Sequence, residues 1–577
     1  MRALGLTKYL QVLAALVCAV LVQACGGGGG GGAPGAGGAA SGSAPVVVPT
    51  VTPVTPPTTP PTTTPSTVVV SGTATFASVP NNLFTGALNY IAVVNTPARG
   101  VTVQAVSGTT VLASATTSTK GEYTFTLPAN TNFFVRLRAE MINTTGAATW
   151  NVTVKDNTAG DPFPLWVVDG ATGSSGSANS TRSITAGSGW TGSNYGAPRA
   201  AGPFAILDTI YSGMAVVSTV QPSGVAFPPL SVFWSPNNNT TTSATGDFTT
   251  GELGTSFFQT STVDGTVLRE IYVLGKEGDD TDEYDNAVVA HEYGHYLQSA
   301  FSNDHSLGGT HAALNKLDMT VAFSEGWGTA WSSIMRGSSI YTDSFGLTQA
   351  QGFSFSLTTT LPTDTARGWY REDSIDTGLY ALFQRQGFPP IWTALTGPMA
   401  TSQNALSTIF SFAAAVRNAA NGAVTAALNA ILSAQNIFIG AAADQWGAGE
   451  LNNGGDASNL PIYRPLAFNT PTAACFINSN VIGSSINKLG STRYYRATLS
   501  AAQAGLRTIT ANFPQGRDLD FDVFQNRKLL MQASANSLGL TSESLTLNLS
   551  AGEVIIRVSD FITTPPLVTN CATLMIQ

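Results

Sequence analysis

The residues best suited to chemistry are His291, Glu292 and His295, in the segment HEYGH at 291–295. Residues four apart in an α-helix lie on one face about one turn apart, so the two imidazoles can bind one metal ion. Glu292 can then reach a water molecule at that ion and act as a general base. The preceding run, Asn286 to Ala290, is typical of a buried helix. The spacing therefore predicts a zinc ion that activates water for hydrolysis.

A catalytic zinc ion needs a third protein ligand and an open position for water. Metzincin peptidases place a third histidine six residues after the second, and that position is Phe301 here. Glu325 is an acidic residue in an otherwise apolar helical segment, and a buried carboxylate favours a cation. We therefore expect Glu325 to be the third ligand.

The segments HEYGH at 291–295 and SEGWG at 324–328 resemble the zinc-binding helices of thermolysin-like gluzincins, and locally those of fungalysins. They also resemble an uncharacterised group of bacterial secreted proteins that carry Asp-Glu-Tyr-Asp before the first helix, as at 282–285 here. The resemblance implies zinc held by three ligands, with the glutamate after the first histidine as general base. By position these are the ligands His291, His295 and Glu325, and the base Glu292.

The chain departs from this family pattern at one position. Thermolysin-like enzymes often have Asp four residues after the ligand glutamate, where it orients a histidine, and Thr329 stands there in this sequence. The residue that orients His291 is therefore left open.

Peptide hydrolysis also needs a donor to the developing oxyanion. Gluzincins commonly use Tyr or His, and five such residues are available: His305, His311, Tyr341, Tyr370 and Tyr380. We favour Tyr370, although an aromatic residue half-buried in the helical half of the domain fits the same pattern. His311 follows Gly308 and Gly309, and such a loop either brings His311 into the cleft or lies solvated at the surface.

The acidic stretch from Gly278 to Asp285 offers the hard oxygen ligands that Ca²⁺ prefers. It lacks the spacing of an EF-hand. Acidic residues before a helix also stabilise its N-terminus through capping and the helix dipole, and we expect this second role.

The N-terminus predicts export. Arg2 and Lys8 precede an apolar run from Tyr9 to Val22, which ends in LVQAC at 21–25 and resembles a bacterial lipobox. The resemblance implies cleavage before Cys25, acylation of that residue, and a lipid-anchored protein. Gly26 rather than Asp after the cysteine implies the outer membrane of the cell envelope. The alternative is an ordinary cleaved signal with an incidental cysteine.

Cysteine usage agrees with an oxidising compartment. Cys18 leaves with the signal and Cys25 is used by lipid, so Cys475 and Cys571 remain. We expect a disulfide between them, against the alternative of two separate buried thiols.

Composition divides the 577 residues into several parts. After the signal (1–24), residues 25–66 contain the lipidated cysteine and a tether rich in Gly, Pro and Thr, which cannot form a core. Short alternating runs in 67–160 predict a β-sandwich that resembles carboxypeptidase regulatory-like domains, an accessory module. Mixed strand and helix patterns in 161–463 predict an α+β domain, zincin-like by the resemblance above. Strand patterns in 464–577 resemble the pre-peptidase C-terminal jelly-roll domain.

The fold we expect is therefore multidomain, with a central α+β metallopeptidase domain between two β domains. The net charge of −8 gives no basic patch, so nucleic acid is not an expected partner. The leading hypothesis is a membrane-anchored zinc endopeptidase acting on protein or peptide substrates. The rivals are a non-catalytic envelope adhesin or binding protein with a degenerate or structural metal site, and a hydrolase of another bond. Nothing in the sequence indicates an oligomeric state.

Overall fold

The computed structural model describes residues 66–243, 245–312, 314–358, 366–440, 444–476, 486–533, 540–561 and 570–577. The predicted signal, the lipidation site at Cys25 and all but the last residue of the tether lie outside the described residues.

Twelve strands form the first part of the described chain: β1 (Thr67–Ser78), β2 (Val94–Pro97), β3 (Thr102–Ser107), β4 (Thr110–Thr116), β5 (Glu122–Pro128), β6 (Asn132–Arg138), β7 (Glu140–Asn143), β8 (Ala148–Lys155), β9 (Val167–Asp169), β10 (Gly173–Ser174), β11 (Ser180–Thr181) and β12 (Ile184–Ala186). In one sheet β1 pairs with β2, β5, β11 and β12, and in the other β6 joins β3 to β9 and β10, with β4 beyond β3. Alternate residues of β5 (Tyr123, Phe125 and Leu127) are buried, as expected for strands with one face on a core. The β-rich N-terminal part that the sequence predicts is therefore present.

A mixed sheet follows, with one long helix before its later strands: α1 (Gly202–Val220), β13 (Val225–Ala226), β14 (Leu230–Trp234), β15 (Phe257–Val263) and β16 (Thr266–Val273). The strand order is β13-β8-β14-β16-β15, with β7 beside β8. The strands β8, β14 and β16 are parallel, whereas β15 is antiparallel to β16 and forms one end of the sheet. The strands β7 and β8, which precede residue 160, thus belong to this mixed sheet. The strands β9 to β12, which follow residue 160, belong to the N-terminal sandwich. The expected boundary at 160 does not separate the sheets.

The two helices that carry the predicted ligands lie in the next segment: β17 (Gly275–Lys276), β18 (Asp280–Thr281), α2 (Asn286–Phe301), α3 (Met319–Arg336), β19 (Ile340–Phe345) and β20 (Gln351–Ser356). The N-cap residue of α3 is Asp318, whose carboxylate accepts a hydrogen bond from the Thr320 N–H. Its C-cap residue is Gly337, in the left-handed conformation. Gly294 and Gly328 let α2 and α3 approach closely, because a Cβ at Gly294 would lie 3.0 Å from the Gly328 Cα. The helical half continues with α4 (Glu372–Gln386), α5 (Pro389–Ala394), α6 (Ile409–Ala419) and α7 (Gly422–Ala434).

The helix α1 is long and apolar enough to cross a membrane by length and composition alone. In this structure it lies against the hydrophobic core, with Phe204, Ile206, Leu207 and Ile210 buried. That core is continuous from the N-terminal sandwich through the mixed sheet to α7.

The described residues of the C-terminal part form nine strands: β21 (Tyr463–Pro465), β22 (Thr472–Phe476), β23 (Thr492–Leu499), β24 (Gly505–Asn512), β25 (Leu519–Gln525), β26 (Lys528–Ala533), β27 (Ser542–Leu549), β28 (Gly552–Asp560) and β29 (Asn570–Ile576). They make two sheets, β21-β23-β28-β25-β26 and β22-β29-β24-β27, around a second hydrophobic core. Cys475 and Cys571 face each other on β22 and β29 and form the predicted disulfide. The chain is therefore multidomain and rich in β-sheet.

Candidate metal centre

The helices α2 and α3 bring together the three predicted ligands. The Nε2 atoms of His291 and His295 lie 3.0 Å apart, and the Glu325 Oε2 lies 3.2 Å from the first and 3.5 Å from the second. All three side chains are buried. Ligands about 2.1 Å from a tetrahedral zinc ion are about 3.4 Å from one another, so two imidazoles and a carboxylate at these separations fit that ion.

The orientation of His291 depends on Thr329 and on Glu372, a residue that the sequence did not identify. Its Nδ1 lies 3.0 Å from the Thr329 Oγ1, and the Thr329 hydroxyl donates to the Glu372 Oε1 at 3.2 Å. Because the hydroxyl has one proton and gives it to the carboxylate, it accepts from an Nδ1–H. That tautomer leaves the Nε2 lone pair of His291 directed at the ligand cluster. Thr329 and Glu372 together thus occupy the place of the orienting aspartate.

His295 is held in a similar way from the other side of Glu325. Its Nδ1 lies 3.2 Å from the Ser324 Oγ, which has the Gln298 Oε1 at 3.3 Å and the Asp304 Oδ2 at 3.5 Å as acceptors. Two hydroxyl residues of α3 therefore support one histidine each: Ser324 supports His295, and Thr329 supports His291.

Gly328 leaves the space that the His291 ring occupies. A Cβ at Gly328 would lie 2.7 Å from the His291 Nε2, closer than real Cβ contacts allow. Any larger residue at 328 would displace the imidazole.

The charges of the cluster act on one another. Burial lowers the pKa of His291 to about 4, so this imidazole is neutral near pH 7, the form that binds a metal. Burial lowers the pKa of His295 too, but the carboxylates of Glu325 and Glu292 outweigh it and raise that pKa to about 9. Although burial raises the pKa of Glu325, the neighbouring His311 and His295 hold it below its ordinary value. Glu292 is itself buried on α2, and its carboxylate is among the charges that raise the pKa of His295.

The loop before α3 brings His311 to the same place. Its ring is buried, and its Nε2 lies 3.6 Å from both the Glu325 Oε2 and the Glu372 Oε2. The C-terminal part holds this loop, because the Asn487 amide donates to the carbonyls of Gly308 and Thr310. Of the two alternatives for the glycine loop, the structure therefore has His311 inside, beside the ligands.

The other oxyanion candidates are placed differently. The Tyr370 hydroxyl lies 3.3 Å from the Arg367 carbonyl and 3.3 Å from the Asn452 Oδ1, contacts that join two loops. These contacts give no support to Tyr370 as the oxyanion donor. The Tyr341 ring stands edge-on to the His291 ring, with centroids 6.5 Å apart.

A cavity of about 360 Å³ opens beside the ligands. One wall is the end strand β15 with the adjoining β16, and another is α2 with the loop that follows it. His295, Ser324 and Glu325 line its floor, and Arg269 lines its side. An extended chain bound along β15 would lie beside the ligands.

The acidic stretch before α2 does not cap the helix with a side chain as expected. Asp285 stands at the cap position, but its side chain makes no capping bond. Its two carboxylate oxygens accept from Asn81 and from the Ser344 hydroxyl instead.

No family model matches the chain, and no curated protein matches it. Among solved structures, the pre-peptidase C-terminal domain of a collagenase from Bacillus anthracis is 12% identical over 20% of this chain and 94% of that one, with a TM-score of 0.16. A periplasmic inhibitor of g-type lysozyme from Aeromonas hydrophila is 14% identical over 20% and 97% of the two chains, with a TM-score of 0.13. A β-glucosidase from Paenibacillus barengoltzii is 14% identical over 29% and 17%, also with a TM-score of 0.13. Scores this low carry no conclusion about fold or activity.

Proposed function

We propose that the chain is a zinc-dependent peptidase, with His291, His295 and Glu325 as ligands and Glu292 as general base. The observation that carries the proposal is the convergence of these buried ligands at the floor of a cavity bordered by the end strand of a sheet. A bound zinc ion would polarise a carbonyl group and make water nucleophilic near pH 7.

The chain's own residues supply the remaining steps. Glu292 takes a proton from the attacking water and delivers it to the leaving amine. We place an extended peptide along β15, because β15 is the end strand of its sheet, its residues line the cavity, and peptide segments add readily to sheet edges. His311 is the best-placed donor to the oxyanion, since its Nε2 lies 3.6 Å from Glu325.

We infer a zincin-like central domain, an accessory N-terminal sandwich and a C-terminal domain of the pre-peptidase type. The lipobox-like segment supports anchoring through Cys25 in the cell envelope, at the outer membrane.

Metal content and peptide hydrolysis of the full chain test the proposal. We expect one zinc ion per chain and chelator-sensitive hydrolysis of a generic protein substrate. Glu325→Ala should lose both, and the surface variant Asp264→Asn should keep both. Stoichiometric zinc without hydrolysis of any protein on a broad panel would favour the non-catalytic binding protein instead.

A further inference from the structure

A second cluster of possible metal ligands lies before the N-terminus of α2. Asp280 and Asp282, around β18, and Asp343, in β19, each offer a carboxylate oxygen, and these oxygens all lie within 4.8 Å of one another. Asp282 and Asp343 are only 2% and 4% exposed. Three carboxylates therefore meet inside the protein, outside the candidate zinc centre.

Each of these carboxylates has one buried oxygen, Oδ1, that the described residues leave without a hydrogen-bond donor. The other oxygen of Asp282 accepts from the Ser256 hydroxyl. Burial, and after it the charges of neighbouring carboxylates, raises the pKa of Asp280 and of Asp343 well above its ordinary value. Buried carboxylates that point unpaired oxygens at one another are costly unless a cation lies between them.

We propose that Asp280, Asp282 and Asp343 bind a calcium ion. Ca²⁺ takes oxygen ligands at about 2.3–2.6 Å, so oxygens on opposite sides of the ion lie about 4.8 Å apart. The donors of this cluster are all carboxylate oxygens, which favours a hard cation over zinc. Mg²⁺ keeps several waters and fits a buried cluster of preset carboxylates poorly.

The position of the site gives the ion a structural role. Asp280 and Asp282 lie just before α2, and Asp343 lies on the strand that follows α3. The ion would thus join the start of one ligand helix to the chain leaving the other. It would stabilise the arrangement of His291 and Glu325 without taking part in the reaction, so the proposal does not depend on peptidase activity.

The test is calcium binding by the full chain, stripped of metals and then saturated with zinc. We expect titration calorimetry to give one Ca²⁺ per chain and the melting temperature to rise by several degrees. Asp343→Asn should lower the calcium affinity at least tenfold and abolish that rise, and Asp264→Asn, in an exposed turn, should match the wild type. Without calcium Asp343→Asn should melt no lower than the wild type, because a buried amide needs neither a cation nor a bound proton among these carboxylates. Asp282→Asn serves as the second variant if that protein does not fold.

Three results would overturn the proposal: no calcium binding by the wild type, wild-type calcium affinity in both Asp343→Asn and Asp282→Asn, or an affinity for Mg²⁺ equal to that for Ca²⁺. Glu325→Gln separates this site from the proposed zinc centre, because it should lose zinc and keep calcium.

Discussion

Replacing Thr329 by valine removes one hydroxyl at nearly constant shape. The hydroxyl joins the His291 Nδ1, at 3.0 Å, to the Glu372 Oε1, at 3.2 Å. Without it the Nδ1–H of a buried imidazole loses its acceptor, and the ring is no longer held with Nε2 towards the other ligands. Loss of such an orienting partner costs about 10- to 100-fold in metal affinity, or about 1.4 to 2.7 kcal/mol of binding free energy.

Zinc affinity measured by competition with a chromophoric chelator checks this value. Ser332→Ala is the matched control, because the Ser332 hydroxyl lies on the same helix but donates only to the Thr329 carbonyl. We expect wild-type affinity in that control. A Thr329→Val protein that folds and binds zinc within twofold of the wild type would refute the role assigned to the hydroxyl.

Three further predictions concern the centre and the C-terminal part. Gly328→Ala should weaken zinc binding at least tenfold, because its Cβ would lie 2.7 Å from the His291 Nε2. Gly422→Ala is the control, because its Cβ would meet no atom within 4 Å, and it should bind zinc as the wild type does. Equal zinc affinities of the two variants would contradict this. Burial, aided by the charges of Arg557 and Arg527, lowers the pKa of His305 from 6.5 to about 4. Between pH 6.5 and pH 4 the His305 imidazole is therefore protonated in the unfolded chain but not in the folded protein. Because of His305, stability should be unaffected above pH 6.5 and lower by about 2 kcal/mol at pH 5. Urea unfolding should therefore show a loss about 2 kcal/mol larger in the wild type than in His305→Gln, and an equal loss in both proteins would contradict this. The disulfide between Cys475 and Cys571 closes a loop with a sequence separation of 96. Replacing both cysteines by alanine should therefore destabilise the C-terminal part by up to about 4 kcal/mol. An unchanged melting profile would contradict this prediction.

The cluster of His291, His295 and Glu325 was predictable because each signal is local. Helix periodicity puts His291 and His295 on one face, and an acid in an apolar helix identifies Glu325 as a ligand candidate. The disulfide followed from elimination among the cysteines.

The surroundings of the centre were not predictable in the same way. Glu372 reaches His291 only through Thr329, and Asp343 meets Asp282 only because β19 returns beside β18. Such contacts depend on long-range packing, which leaves no period or spacing in the sequence. The exchange of strands across residue 160 has the same cause, since a strand's own pattern does not specify its partner. The one available signal for Glu372 is its place in the first turn of a helix, a common position for acids.

The most direct test of the central claim is the hydrolysis rate of Glu292→Gln at full zinc occupancy. Glutamine keeps the size of the side chain but cannot accept the proton of water. We expect one zinc ion per chain, as in the wild type, and a rate at least 100-fold lower. A zinc-loaded Glu292→Gln protein that cleaves protein substrates at the wild-type rate would contradict the central claim.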